Sequence, residues 1–152
     1  MTRSLLFRGR FEHSVDGKGR TSLPAKFREI LASRGDERLV FAPGLERCVV
    51  AYPHAEWSRF EERLLAMPQF DPSVVRLKRL VVSCAVECTA DRQGRLLLPP
   101  ALRSHAAIRR DVVWAGMVGH VELWSKELWS EATAASSEEL ARLAKALGDM
   151  GL

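Results

Sequence analysis

Cysteine is scarce in this chain: three residues in 152, an odd number with no sign of a secretory context. A disulfide framework is not expected on that pattern, and reduced thiols are the default. Long apolar runs are missing too. No stretch approaches the roughly 20 apolar residues that span a bilayer, and the opening Met-Thr-Arg-Ser-Leu-Leu-Phe-Arg returns to charge before a signal-peptide core develops. A cytoplasmic protein without membrane contact is expected. Charge of one sign is in small excess, a net +4 with 28% charged residues, which excludes a disordered polyelectrolyte. What the chain does have is 47% hydrophobic residues, enough to bury a core in one ordinary domain or in two very small ones that share it.

The distribution of charge says more than its total. Residues 1–28 hold seven bases, Arg3, Arg8, Arg10, Lys18, Arg20, Lys26 and Arg28, against Glu12 and Asp16, a local +5. Residues 122–152 hold three bases against six acids, a local −3. A basic end suggests a polyanion partner, and a merely solvated face gives the same pattern. Arginine outnumbers lysine 18 to 5. That suits bidentate contacts to phosphate or guanine, although a genome of biased base composition produces the same excess.

Internal duplication is the strongest signal. The segment Asp16-Gly-Lys-Gly-Arg20-Thr-Ser-Leu-Pro24-Ala-Lys-Phe27-Arg28 recurs 75 residues later as Asp91-Arg-Gln-Gly-Arg95-Leu-Leu-Leu-Pro99-Pro-Ala-Leu102-Arg103. Upstream, Phe11, Glu12 and Ser14 match Val86, Glu87 and Thr89. Downstream the offset becomes 72, and Val40, Gly44, Val49, Tyr52 and Trp57 meet Val112, Gly116, Val121, Trp124 and Trp129. Two units result, residues 7–57 and 82–129, with a helical linker at 58–81 and a C-terminal amphipathic helix at 130–152.

Each unit reads as β-turn-β-α-β-turn-β. Residues 7–15 alternate, with Phe11, His13 and Val15 on one face and Arg10, Glu12 and Ser14 on the other, as in a half-buried strand. Asp-Gly and Gly-Arg mark a tight turn in which the Asp16 carboxylate accepts backbone N–H groups and Gly19 takes positive φ. A short strand at 20–23 follows, and Pro24 suits the first position of a helix bearing Phe27, Ile30 and Leu31 on one face. Residues 39–42 and 48–52 flank Pro43-Gly44 as a strand, turn and strand. Four short strands and one helix cannot bury a core alone, so two copies must close on each other as one pseudo-twofold β-barrel in a mixed α+β fold. Between the copies, residues 53–67 predict a helix with Trp57, Phe60, Leu64 and Leu65 on a face, followed by a second at 73–80. Near the C-terminus, Ser136 to Glu139 forms a capping box ahead of the stripe Leu140, Leu143, Ala144 and Leu147, which is expected to pack on its own barrel.

Equivalent loops of such a barrel come to one face, which brings Asp16 with Arg20 near Asp91 with Arg95. Two readings of the acids stand side by side. In one, Asp16, Gly19, Asp91 and Gly94 are turn chemistry, with each arginine merely paired across its turn. In the other, each acid braces a guanidinium fork for bidentate contact with a guanine edge or a phosphate. Arg20 and Arg95 favour the second, because an arginine leaving a tight turn at a strand start points outward. Lys18 and Arg92 in the turns, with Arg8 and Arg10 on the preceding strand, then supply charge for phosphates. No cofactor, metal or catalytic residue is expected.

In their order and duplication these landmarks resemble the MraZ family of bacterial transcriptional regulators, whose two AbrB-like (SpoVT-AbrB) units each carry an Asp-x-x-Gly-Arg turn. The resemblance runs over essentially the whole chain: Phe7-Arg-Gly9, Asp16-Gly-Lys-Gly-Arg20, Pro24-Ala-Lys-Phe-Arg28, residues 48–52 with Trp57, Ala85-Val-Glu-Cys88, Asp91-Arg-Gln-Gly-Arg95 and Glu122-Leu-Trp124. It implies a swapped-hairpin barrel and sequence-specific binding to repeated promoter elements of the cell-division and cell-wall gene cluster, with repression as the expected output. It also implies nucleoid association and a ring-shaped homo-oligomer. By position, the DNA contact falls chiefly on Arg20 and then on Arg95. The residues ahead of Phe7 depart from the family pattern, as a tail or a different start site. A ring suits weak single sites, because tethered copies facing successive DNA repeats gain affinity through effective concentration.

Rival readings fare unequally. Two repeats donating one Asp each to a twofold axis is how an aspartic-protease dyad is built, but Lys18, Arg20, Arg92 and Arg95 would hold both carboxylates ionised where a dyad shares a proton. Cys84 and Cys88 on one strand face, with Cys48 and His13, read as structural thiols rather than a metal cluster. His105 and His120 stand alone. Trp57, Trp124 and Trp129 read as core, with Trp114 less defined. The second serious alternative is an antitoxin-like protein-interaction module that uses the same barrel and offers its acidic C-terminal helix to a partner groove.

Overall fold

A computed structural model describes residues 6–152. Residues 1–5, which include Arg3 and most of the extension ahead of Phe7, lie outside the described residues. The first repeat runs β1 (Arg10–Ser14), β2 (Arg20–Ser22), α1 (Ala25–Arg34), β3 (Leu39–Pro43), β4 (Val49–Pro53) and α2 (His54–Leu65). After α3 (Pro72–Leu80) the second repeats the order as β5 (Val86–Cys88), β6 (Arg95–Leu97), α4 (Pro100–His105), β7 (Asp111–Gly116), β8 (Val121–Ser125) and α5 (Lys126–Thr133), with α6 (Ser137–Asp149) last.

Local chemistry sets the ends of these elements. Pro24 sits just ahead of α1 rather than in its first turn, and Gly35 closes that helix at φ 79, donating its N–H to the Ala32 carbonyl at 3.0 Å. The Asp71 carboxylate caps α3 by accepting from the Ser73 N–H at 2.8 Å. Ser136 Oγ accepts from the Glu139 N–H at 3.1 Å and starts α6, so the C-terminal region is two helices rather than one. Leu65 falls off the buried face of α2, whose apolar contacts are Trp57, Phe60 and Leu64. Cys84 lies in a short 3-10 turn at Val82–Cys84, not on the strand with Cys88.

Six strands form one antiparallel sheet in the order β1-β7-β8-β4-β3-β5, and β2 and β6 form a separate two-stranded ribbon. The repeats therefore exchange strands: β1 of the first pairs with β7 of the second, and β5 of the second with β3 of the first. The sheet does not close into the expected barrel. Its edges are β1 and β5, and a lone bridge between Val15 and Thr21 ties β1 to the ribbon. The physical reason is length, since each ribbon strand is only three residues long and its outer edge has room for little more than such a bridge.

The pseudo-twofold axis can be placed from register alone. Thr21 pairs with Leu96, its own equivalent in the other repeat, and Val50 pairs with Glu122, again its equivalent. One register needs correction. Leu39 pairs with Cys88 in one half and Val112 with His13 in the other, so Leu39 and Val112 are the true equivalents, one position away from the Val40 and Val112 match.

The main core joins both repeats: Phe27, Leu31, Phe41 and Val49 from one meet Leu96, Leu98, Leu102 and Trp114 from the other. Phe27 receives Phe7 and Phe11 edge to face, with ring centroids 5.5 Å and 5.2 Å away. Trp114 is fully buried, the firmest core tryptophan, whereas Trp129 is half-buried against Trp124. The α6 stripe is not packed on the body of the protein, since Leu140 stays 55% and Leu143 52% exposed and no α6 side chain is buried. Phe27→Ala is expected to cost about 3–5 kcal/mol by emptying the aromatic centre of the shared core. An unfolding free energy from urea titration lowered by less than about 1 kcal/mol would contradict that role.

Candidate nucleic-acid interface

The two Asp-x-x-Gly-Arg turns fold identically. The Asp16 carbonyl accepts from the Gly19 N–H at 3.0 Å, and the Asp91 carbonyl accepts from the Gly94 N–H at 2.9 Å. Both glycines have positive φ, +83 and +79, a conformation that a Cβ would strain. Asp16 Oδ1 accepts from the N–H groups of Lys18 and Arg20, each at 2.9 Å, and its Oδ2 accepts from Arg20 Nε at 2.8 Å. Asp91 does the same with Gln93, Arg95 and Arg95 Nε, all at 2.9 Å. Each acid is thus turn chemistry and brace at once, so the two readings of its role are parts of one geometry.

Asp engages only the Nε edge of its arginine, which leaves the Nη pair of the fork outside the brace. Both arginine side chains are 31% exposed. In the ribbon, Arg20 lies across from Leu97 and Arg95 across from Ser22, while Thr21 and Leu96 between them are buried. Period-2 alternation then puts Arg20, Ser22, Arg95 and Leu97 on one outward face. Arg20 and Arg95 are diagonal neighbours there, with backbone positions about 7–8 Å apart.

The other expected residues divide into two groups. Lys18 and Arg92 are exposed in the turns themselves. Arg8 and Arg10 are exposed at the far end of β1, about 17 Å from the first turn at the rise of a five-residue strand. Arg10 lies over the Trp129 ring, 5.1 Å from its centroid. The structure does not bring these two to the ribbon.

It does bring others that the expected site omitted. A Cβ placed on Gly94 would meet the Arg28 guanidinium carbon at 2.8 Å, so Arg28 of the first repeat covers the second turn. Its equivalent Arg103 flanks Gly19 and donates to the carbonyls of Ile108 and Arg109. The Arg110 carbonyl accepts from the Val15 N–H at 2.7 Å, which seats Arg109 and Arg110 beside the first turn. Arg28 and Arg103 were visible in the duplicated motif itself, and their position against the opposite turn was not.

Comparison with known proteins follows the same division into halves. Residues 6–80 and 81–149 each match the family model described as "MraZ protein, putative antitoxin-like". The chain is 39% identical over 147 residues to the "Transcriptional regulator MraZ" of Desulfitobacterium hafniense strain Y51, covering 97% of this chain and 100% of that one. It is 43% identical over 136 residues to the protein of the same name from Caldanaerobacter subterraneus subsp. tengcongensis, covering 88% and 92%. The chain belongs to the MraZ family.

Among the described residues, no group of three or more His, Cys, Asp or Glu side chains is placed to hold a metal. Burial pushes the Cys48 and Cys88 thiols up to about 12, which makes them inert at neutral pH. His120 stacks on Tyr52 at 4.4 Å, and burial lowers its pKa, which favours the neutral ring. In the turns, the backbone N–H groups of Arg20 and Arg95, aided by their side chains and opposed by desolvation, hold Asp16 and Asp91 below the ordinary 3.8. A depressed folded value means that the brace is fully formed above about pH 4 and is lost as pH falls through the lowered value. Carboxyl NMR titration should therefore place both inflections below 3.8, with Arg20→Ala raising that of Asp16. An Asp16 inflection at or above 3.8 would contradict the brace.

Proposed function

We propose that the protein is a transcriptional regulator that binds double-stranded DNA in a sequence-specific manner, with the outward face of the β2–β6 ribbon entering the major groove. One observation carries this reading: Arg20 and Arg95 stand on one face, each held by its own carboxylate, with the Nη pair outside the brace. A major groove about 12 Å wide admits a two-stranded ribbon, and an arginine fork matches the O6 and N7 of guanine. Roots about 7–8 Å apart span roughly two base-pair steps of about 3.4 Å, so the two forks address different base pairs. Lys18 and Arg92, together with Arg28, Arg103, Arg109 and Arg110, are the charges near enough to serve phosphates. Arg8 and Arg10 supply diffuse attraction from farther up β1. The name shared by the relatives supports the same function.

Finer expectations accompany this reading on the strength of the family resemblance. They are repeated promoter elements of the cell-division and cell-wall cluster, repression by occupying them, and a cytoplasmic, nucleoid-associated protein. No helix among the described residues is long and apolar enough to cross a membrane. The strand exchange between repeats supports a swapped-hairpin reading of the architecture. A ring-shaped homo-oligomer is supported by the uncovered α6 stripe and by the avidity that weak single sites require. The antitoxin-like alternative draws on the same uncovered, acidic helix and on the family description. No catalytic role is proposed.

Arg20→Ala is expected to weaken specific binding by roughly 5- to 150-fold per site while leaving the fold and assembly intact. Arg92→Ala should weaken binding to all sequences and reduce the salt slope by about one. A mobility-shift titration in which Arg20→Ala binds its genomic target as tightly as the parent overturns the assignment. Truncation after residue 134 should reduce the assembly to smaller folded species, as read by light scattering. An unchanged assembly would refute α6 as a seam between copies.

A further inference from the structure

The outward face of the ribbon is not symmetric. Arg20 and Arg95 are equivalents across the duplication, and so are Ser22 and Leu97. Leu97 lies directly across from Arg20, and Ser22 directly across from Arg95. The Leu98 N–H donates to the Gly19 carbonyl at 2.8 Å, and the Leu23 N–H donates to the Gly94 carbonyl at 2.9 Å. Those bonds fix the alternation of the ladder and put Arg20/Leu97 and Arg95/Ser22 at its closer spacing, about 4.5 Å between Cα atoms. Leu97 is 62% exposed, while Leu96 and Leu98 on either side of it are buried. The core is complete without it. It borders a groove of about 420 Å³ beside the first turn, shared with Lys18, Gly19, Pro100 and Arg103.

An aliphatic side chain next to a guanidinium fork has one natural partner in a major groove. The guanine, cytosine and adenine edges there present donors and acceptors, and only thymine adds an apolar group, its 5-methyl. Serine can hydrogen-bond to any of those edges but gains nothing comparable from a methyl. We infer that Leu97 is a specificity-determining residue that packs on the 5-methyl of a thymine beside the base pair read by Arg20. Ser22 gives the other half of the ribbon a different preference. A pseudo-twofold fold then reads an asymmetric element in one orientation. The inference rests on the DNA-binding reading above.

Its test begins with the element that the full-length protein retains from fragmented genomic DNA. That element is resynthesised as duplexes in which each thymine in turn becomes deoxyuridine, a change that removes only the methyl. The parent should lose about fourfold in affinity at one position. Leu97→Ser should show no loss at that position and should keep the parent's oligomeric state by light scattering. A parent indifferent to every replacement overturns the inference, and so does a loss that persists in Leu97→Ser or a variant whose assembly has changed. Failure of the DNA-face reading would look different, because Arg20→Ala would then retain specific binding.

Discussion

Two backbone hydrogen bonds organise the molecule: the Leu23 N–H to the Gly94 carbonyl, and the Leu98 N–H to the Gly19 carbonyl. Each joins the short second strand of one repeat to the turn glycine of the other. A three-residue strand has no stability of its own, and even a two-stranded hairpin is marginal in water. Here each such strand finds its ladder partner in the opposite repeat, as do β1 with β7 and β5 with β3. Neither half is a folding unit, and the core that mixes Phe27 with Leu96 and Leu102 shows the same dependence in its side chains. The exchange that completes the fold is also what carries the two arginine turns to opposite ends of one ribbon.

Stability is not the purpose of the ion pairs in those turns. Pairs as exposed as Asp16 with Arg20 contribute little to folding. Their effect is on order. A free arginine side chain must give up rotamer freedom when it meets a base edge, and a fork already tied through Nε gives up less. The same carboxylate accepts two backbone N–H groups, so the turn and the side chain are held by one group.

Duplication made most of this legible in the amino-acid sequence. A lone Asp-x-x-Gly-Arg is a weak signal, but two in matched frames pick out turn, strand and helix together, and the elements around α1 and α4 follow that reading. The misreadings have physical causes. Every position of β3 is buried, and so are Val112 to Ala115 in β7, so apolar matching could not separate a register of Leu39 from one of Val40, and only strand pairing did. Closure of a barrel depends on strand length, which composition does not reveal. The α6 stripe shows amphipathic periodicity whether or not anything in the same chain covers it. Arg28 and Arg103 were plain as repeated letters, yet their place depends on the crossing of chains, which is a property of topology.

Duplicated backbone does not enforce duplicated surface. Counting back from the paired strands, Arg109 and Arg110 stand where the first repeat has Asp36 and Glu37. Asp36 is gripped by Arg38 through Nε at 3.0 Å and Nη2 at 2.8 Å, which holds its carboxyl down to about 2 and keeps it ionised throughout the neutral range. Positive charge is thereby added beside the first turn and withheld at the equivalent place in the other half. Leu97 breaks the symmetry on that same side, across from Arg20. Charge and shape both give the ribbon a direction. In a closed ring, rotation carries every subunit's ribbon into the next with its direction preserved. On the DNA-binding reading proposed above, a directional reader assembled in that way would require DNA elements repeated in one orientation, because an inverted copy would set Leu97 against the edge that suits Ser22.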